Sequence, residues 1–488
     1  MIIHIIEAVY HFLWGDLVTL HLSGTSIGIP LLVLLLIPTG IYFTFRTNFV
    51  SVRLFPDMVR SLTEKKGNGN SLSPLQTLFV STATRVGMGN LVGVVAAVSA
   101  GGAGAVFWMW LSAILGSATA FIEATLAQIH KEEDSLYGGY HGGPAYYIHY
   151  YAEKVRGKKL NHSVIAVFFA LSGLLCWCGI SQVISNSVAS AFENAFSVPP
   201  IITTVILVIL SAIIVLRKNA TIKALDIIVP VMAAMYFIIT IFIIVTHIGQ
   251  LPGVFSRIFK EAFGLRAVAG GGFGAVLMNG VKRGLFSNEA GSGSAPCAAA
   301  AADEKEPVKM GLIQALGVFI DTIVICTMTA LVILCSSGGA AGLCAAHLDG
   351  AALAAWSFGA VCGKMGEWLI ALAMLVFSFA TMIAWFYLGR QTLEAMLEMV
   401  ETMGRTERIY QWYFYLYSVC IVLGGLTRLE AVWKLSDIWN GLMAFPNLLA
   451  LLWLQKQVHF PWTASRVRDA TGKPEFRFRA NGKQRGKP

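Results

Sequence analysis

Apolar stretches long enough to cross a bilayer recur along almost the whole chain, and no other feature restricts its fold so tightly. They run at about 28 to 46, 75 to 99, 105 to 129, 163 to 192, 198 to 216, 224 to 247, 310 to 335, 366 to 389, 409 to 427 and 432 to 455. An eleventh, from about 268 to 300, is glycine-rich and interrupted. A hydrocarbon core of about 30 Å takes roughly 20 apolar residues as a helix, so these stretches have spanning length. With 56% hydrophobic and only 13% charged residues, the 488-residue chain lacks the charge to clothe a soluble surface. The expected class is an all-α polytopic membrane protein with about 11 transmembrane helices.

Loop charges set the expected orientation. If loops alternate sides, 27 of the 36 Lys/Arg share the side of the tail, nine of them between Lys456 and Pro488. Only Arg257, Lys260, Arg266, Lys364, Arg428 and Lys434 fall opposite, while Arg85, Lys282 and Arg283 lie within or beside spans. The positive-inside bias puts the tail in the cytoplasm and the N-terminus outside. The net charge of +9 is then a product of topology, and no nucleic-acid partner is expected. The segment "GVFSRIFKEAFGLR", 253 to 266, has basic and apolar residues at helical spacing and is expected along the outer surface. No basic n-region or A-x-A site marks a removable signal peptide. The eight cysteines, scattered through apolar spans without a His/Cys cluster, read as buried, inert thiols.

Two spans are built to break. "TRVGMGNLVGVV", 84 to 95, places Gly87, Gly89 and Gly93 mid-span, and glycine costs about 1 kcal/mol relative to alanine in a helix. Unwound backbone in hydrocarbon leaves polar groups unpaired, so it survives only where it lines a polar cavity or binds something. Asn90 is expected to N-cap a second half-helix, aiming a positive helix end at mid-membrane, which suits a carboxylate. Close helix packing accounts for the glycines alone equally well; Asn90 and Arg85 beside them favour a site. The second break follows five spans later, where a helix from about 273 to 286 meets "SNEAGSGS" and Ser294 is expected to cap a new helix with Pro296 in its first turn. Interrupted helices at matching positions of two halves are the mark of an inverted-repeat secondary transporter.

"RVGMGNLVGV" at 85 to 94, "GGAGAVFWMWLSAILG" at 101 to 116 and "RGLFSNEAGSGSAP" at 283 to 296 resemble the alanine or glycine:cation symporter family. "GGPAYYI" at 142 to 148, "FIDTIVICT" at 319 to 327 and "GLMAFPNL" at 441 to 448 extend the likeness from about residue 15 to about 458. The resemblance implies a leucine-transporter-like fold: one N-terminal helix plus a 5+5 inverted repeat with two broken helices, importing small neutral amino acids with sodium as co-substrate and no other cofactor. It divides the chain into 1–70 (N-terminal membrane helix and cytoplasmic loop), 71–250 (first repeat), 251–458 (outer surface helix and second repeat) and 459–488 (basic cytoplasmic tail). By the same resemblance, the N–H groups of Met88 and Gly89, flanked by Gly87 and Asn90, would hold the substrate carboxylate. The carbonyls of Ala83 and Val86, completed by Thr381, would coordinate sodium. Ser287, Asn288 and Gly291 would line the other side, and Trp385, one turn beyond Thr381, would close on the substrate side chain. The compartment implied is a prokaryotic plasma membrane, the cell inner membrane.

Three positions depart from the family pattern. Met88 stands where Thr or Ser is common, Ile184 where Gln often precedes a Ser/Ala-Asn pair, and Ala380 where a Ser would precede Thr381. A polar contact to the substrate is then missing at Ile184 unless Gln182 or Asn186 substitutes. Of the ionisable residues in or beside spans, Glu123 and Asp226 are expected to reach water at cytoplasmic ends. Arg85 has three open roles: pairing with Glu289 or Asp321, locking a gate, or standing in for a second cation. No H-E-x-x-H, P-loop or D-x-x-x-D cluster supports a membrane enzyme or an ATP-driven pump. The competing class is a channel, with proton-coupled or uncoupled carriage a further alternative to sodium.

Overall fold

Each predicted apolar stretch lies on a helix or a broken pair of helices. The computed structural model describes residues 2–22, 25–62, 72–133, 139–161, 163–215, 220–263, 272–304, 306–335, 350–399, 406–427, 429–458, 463–468 and 474–479. The chain opens with α1 (Ile2–Trp14), a hairpin of β1 (Val18–Leu22) and β2 (Thr25–Ile29), α2 (Leu31–Arg46), and the short α3 (Val50–Arg53) and α4 (Phe55–Ser61). The first half continues with α5 (Pro74–Arg85), a π-helical turn (Gly89–Gly93), α6 (Val94–Gly101) and α7 (Ala105–Ile129). After the strand pair β3 (Glu132–Glu133) and β4 (Tyr140–His141) come α8 (Pro144–Arg156), α9 (Val164–Phe196), α10 (Pro200–Val215) and α11 (Ala220–Thr246). The surface helix α12 (Leu251–Ala262) leads to α13 (Gly272–Asn288), α14 (Ala295–Ala300), α15 (Pro307–Val318), a π-helical stretch (Phe319–Cys326) and α16 (Thr327–Cys335). The last spans are α17 (Gly350–Cys362), α18 (Lys364–Met399), α19 (Thr406–Leu426) and α20 (Leu429–Leu454), followed by a tail hairpin of β5 (Thr463–Arg468) and β6 (Pro474–Arg479).

Local sequence fixes the ends of these helices. Helix α5 starts on a capping box: Ser73 Oγ accepts from Gln76 N at 3.1 Å, and Gln76 Oε1 accepts from Ser73 N at 3.0 Å, with Pro74 in the first turn. The chain then bends by 54° between Pro74–Arg85 and Gly89–Gly101. Helix α12 is amphipathic and buries Val254 and Ile258. Its Glu261 accepts from Ala103 N at 2.7 Å, which pins the surface helix to the turn between α6 and α7. A side chain at Gly102, where φ is +71°, would strike that carboxylate at 2.9 Å. Residues 264–266 of the segment predicted to lie on the surface fall outside the described residues. Helices α1, α8 and α17 and the tail hairpin lie outside the predicted spans, while β2 takes up residues 28 and 29 at the start of the first.

Polarity is inverted relative to a soluble fold. On α11, Ile227, Val231, Ile238 and Phe242 are exposed, while Leu225, Val229, Met232 and Tyr236 are buried. An exterior this apolar faces acyl chains rather than water. The polar groups gather instead at depth, where Asn90, Glu123, Ser287 and Asp321 are all at most 1% exposed. The seven described cysteines are free thiols, five of them buried.

Candidate functional site

The first break begins at Val86, whose φ of −78° and ψ of 89° leave the helix. Gly87 N–H then turns to Asn90 Oδ1 at 3.2 Å instead of continuing the helical ladder, and the chain rewinds as a π turn from Gly89. Asn90 therefore lies inside that turn and is not the expected N-cap; Met88 occupies the cap position without a side-chain bond. The Asn90 amide has a different task. Its Nδ2 donates to Asp321 Oδ1 at 2.6 Å and lies 3.3 Å from Ser287 Oγ, so one side chain ties the first break to the second.

The second break is a left-handed passage. Glu289, Gly291 and Gly293 have φ of 54°, 88° and 97°, a region that glycine enters freely and glutamate does not. Ser294 precedes α14 without capping it; its hydroxyl donates to Glu289 Oε2 at 2.7 Å, and Pro296 lies in the first turn as expected. Freed backbone groups find partners on α7 and α20. Glu123 Oε2 accepts from Gly291 N at 2.9 Å, and Asn447 Nδ2 donates both to Gly291 O at 2.9 Å and to Glu123 Oε1 at 2.6 Å. Tyr147 Oη donates to Asn447 Oδ1. Further along α7, Gln128 Nε2 donates to the carbonyls of Ala299 and Ala302. Glu123 is thus fully buried and serves the break; the expectation that it reaches water fails because α7 runs behind the second break rather than leaving the membrane there. Asp226 is half-buried and accepts from Gln76 Nε2 at 2.6 Å.

The two carboxylates are crossed between halves. Glu123, on the span after the first break, supports the second break, whereas Asp321, on the span after the second break, supports the first. Asp321 sits on the π-helical stretch, a distortion common at functional sites. Its Oδ2 accepts from Ser287 Oγ at 2.7 Å and Thr322 Oγ1 at 2.8 Å. This cluster of a carboxylate and two hydroxyls is the hard-oxygen donor set that alkali and alkaline-earth cations prefer. Among the described residues no group of three His, Cys, Asp or Glu side chains forms a transition-metal site.

Against the breaks lies a cavity of about 30 Å³, lined by Arg85, Gly87, Met88, Gly89, Ile184, Thr381 and Trp385 of the predicted residues. Asn90, Ser287, Asn288, Gly291, Ala83 and Val86 are not lining residues, although Asn90, Ser287 and Val86 are chain neighbours of Gly89, Phe286 and Gly87, which are. Thr381 faces the break, since a Cβ on Gly87 would lie 2.9 Å from its Oγ1, and that hydroxyl donates to Phe377 O at 2.8 Å. Trp385 is 1% exposed with an unpartnered indole N–H and lies 5.8 Å from the Trp177 ring. Asn288 accepts from Ala290 N at 3.0 Å, and its buried amide nitrogen has no partner. Asn186 donates to the Gly424 and Thr427 carbonyls, away from the cavity, and Gln182 packs against Gly424, so neither brings a polar group to the place that Ile184 occupies. Arg85 makes no ion pair with Glu289 or Asp321 within 4 Å; its Nη1 donates to Gln314 O at 3.3 Å, and Nε and Nη2 are buried without partners. Sequence reasoning missed Glu289, Ser292, Trp433 and Asn440 as lining residues. The glycine- and serine-rich "SNEAGSGS" that contains them is the sequence signal for the first two; Trp433 and Asn440 come from a span that carries no break.

The geometry has counterparts in known proteins. A model of the sodium:alanine symporter family matches residues 16–472. The chain is 41% identical over 435 residues to a probable sodium/glutamine symporter, GlnT, of Bacillus subtilis, covering 88% of this chain and 86% of that protein. It is 36% identical over 457 residues to the sodium/alanine symporter AgcS of Methanococcus maripaludis, covering 93% and 94%. Among solved structures, a manganese transporter of Eremococcus coleocola superposes with a TM-score of 0.51 at 12% identity, covering 82% of this chain and 84% of that one. A Na+-coupled sialic acid symporter does so at 0.50 and 14%, covering 87% of each. At such identities the structural likeness concerns the fold alone. With the family match spanning nearly the whole sequence, the chain belongs to the sodium:alanine symporter family.

Proposed function

We propose that this transporter carries small neutral amino acids, of the alanine or glycine type, together with sodium, by alternating access. The observation that supports this reading best is the bond network joining the two breaks, from Asn90 to Ser287 and Asp321, with Asn90 and Ser287 next in the chain to the cavity-lining Gly89 and Phe286. The N–H groups of Met88 and Gly89 are the groups proposed for the substrate carboxylate. The carbonyls of Ala83 and Val86 with the Thr381 hydroxyl are proposed for sodium, and the Asp321 cluster is a second oxygen set of suitable chemistry. A water needs roughly 10–15 Å³ of such space, so a cavity of about 30 Å³ holds about two waters and must widen to admit a zwitterion.

Ile184, Met443, Met88 and Trp385 leave the substrate side chain an apolar, narrow space, which favours alanine over glutamine. A glutamine-sized substrate is the second reading, favoured by the 41% identity to a relative named for sodium and glutamine. The loop charges support a cytoplasmic tail and an outside N-terminus in a prokaryotic plasma membrane. The test is uptake into proteoliposomes with sodium replaced by choline at fixed pH. Saturable alanine uptake that shows counterflow and disappears in choline is expected. Uptake indifferent to choline would leave a proton-coupled or uncoupled carrier, non-saturating flux a channel, and stronger competition by glutamine than by alanine would transfer the assignment to glutamine.

A further inference from the structure

Where α8 ends against α9 and α20, a lateral groove of about 560 Å³ opens on the exterior. Its walls include Val155 of α8, Val164 and Phe168 of α9, and Phe445, Leu449 and Trp453 of α20, all of them exposed. In a membrane protein such walls meet acyl chains. What sets this groove apart from ordinary lipid-facing surface is its mouth. Arg156 lines it, and Lys154, Lys158 and Lys159 stand exposed beside Arg156 on the same turn of chain. Lys456 is exposed just past Trp453. Glu153, the acidic residue of this turn, accepts from Leu160 N–H at 3.0 Å and sets one negative charge against Lys154, Arg156, Lys158 and Lys159, so the mouth keeps an excess of positive charge. Tyr151 and Trp453 lie 5.8 Å apart at the same end, and aromatic residues of this kind concentrate at headgroup level. Apolar walls below, aromatic rings at the rim and cations above follow the chemical order of a phospholipid from tail to phosphate.

We propose that this groove is a specific site for an anionic phospholipid of the surrounding membrane, with an acyl chain between α9 and α20 and the phosphate at Arg156 and its neighbouring lysines. Juxtamembrane Lys/Arg clusters recognise anionic headgroups by this electrostatic route. A second lateral groove, between α3, α7 and α15, has about 470 Å³ and no charged residue in its walls, and serves as the internal comparison.

The experiment is native mass spectrometry of the full-length protein with phosphatidylglycerol and phosphatidylcholine of identical chains, repeated on the quadruple variant Lys154→Gln, Arg156→Gln, Lys158→Gln, Lys159→Gln. Wild type should retain one phosphatidylglycerol in preference to phosphatidylcholine, and each cation removed should weaken that retention by about fivefold. A second variant, Val164→Trp, fills the groove without touching a charge and should also release the lipid. Equal retention of both lipids by wild type would reduce the groove to unselective acyl-chain contact and overturn the proposal. So would a preference for phosphatidylglycerol that survives both variants, since the bound lipid would then lie elsewhere. Equal retention by wild type refutes the proposal whether or not a variant folds, and the location is read from whichever variant melts like wild type.

Discussion

Glu123→Gln is the smallest change that sets the second break against its support. The carboxylate accepts from Gly291 N–H at 2.9 Å and from Asn447 Nδ2 at 2.6 Å, whereas an amide offers one acceptor and one donor. If the new carbonyl stays on Gly291, two N–H groups face each other where the shorter bond stood. Rotating the Asn447 amide relieves that conflict but withdraws its N–H from Gly291 O and its oxygen from Tyr147. Either way at least one hydrogen bond to a charged group disappears, worth about 1.5–3 kcal/mol. Neutral interhelical bonds in membranes average only roughly 0.6 kcal/mol, so the charge decides the size of the effect. Spent wholly on the binding-competent form of the break, the loss is roughly 10- to 150-fold in substrate affinity. Sodium-driven uptake by proteoliposomes, measured across substrate concentration, should show a raised KM, and the purified protein should melt earlier. Adding Asn447→Asp supplies an acceptor to the new amide and to Tyr147, so the double variant should recover part of the loss. A single variant with KM within twofold of wild type and unchanged melting would refute the role given to Glu123.

Gly291→Ala should melt well below wild type in the same thermal assay, because φ is +88° there and the added Cβ would lie 2.7 Å from Leu36 and 2.9 Å from Leu448; unchanged melting would mean the break has another conformation. Gly87→Ala presses on Thr381 Oγ1 and should lower the apparent sodium affinity several-fold in uptake while protein yield is kept, a result that an unshifted sodium activation curve would contradict. Arg85→Gln should change sodium dependence more than substrate KM, since the guanidinium lines the cavity without a carboxylate in ion-pairing range, and an unaltered sodium activation curve would discard that role.

The spans were legible because bilayer thickness converts directly into a length of apolar sequence, and the breaks because glycine, asparagine and serine collect where a helix must open. The partners of the breaks were not. Asn90 reads as an N-cap by residue type, but the chain rewinds through a π turn whose extra residue draws Asn90 inward toward Asp321. Ser294 reads as a cap in the same way, yet Glu289 doubles back in a left-handed conformation and takes its hydroxyl. Glu123 could be seen as an ionisable group in a span, but its neighbours Gly291 and Asn447 lie 168 and 324 residues away, and no local pattern encodes such a meeting. Helix α8 and its groove were missed because a helix of 13 residues has neither spanning length nor a strong break signal.

Substrate protection of a single cysteine tests the central assignment most directly. With Met88→Cys in the cavity lining, labelling of the purified protein by a small methanethiosulfonate reagent is followed with and without alanine, in sodium and in choline, against wild type as background. Protection by alanine in sodium and none in choline is the predicted outcome. Labelling that alanine leaves unaltered in both salts, in a variant that still transports, would put the amino acid somewhere other than between the two breaks.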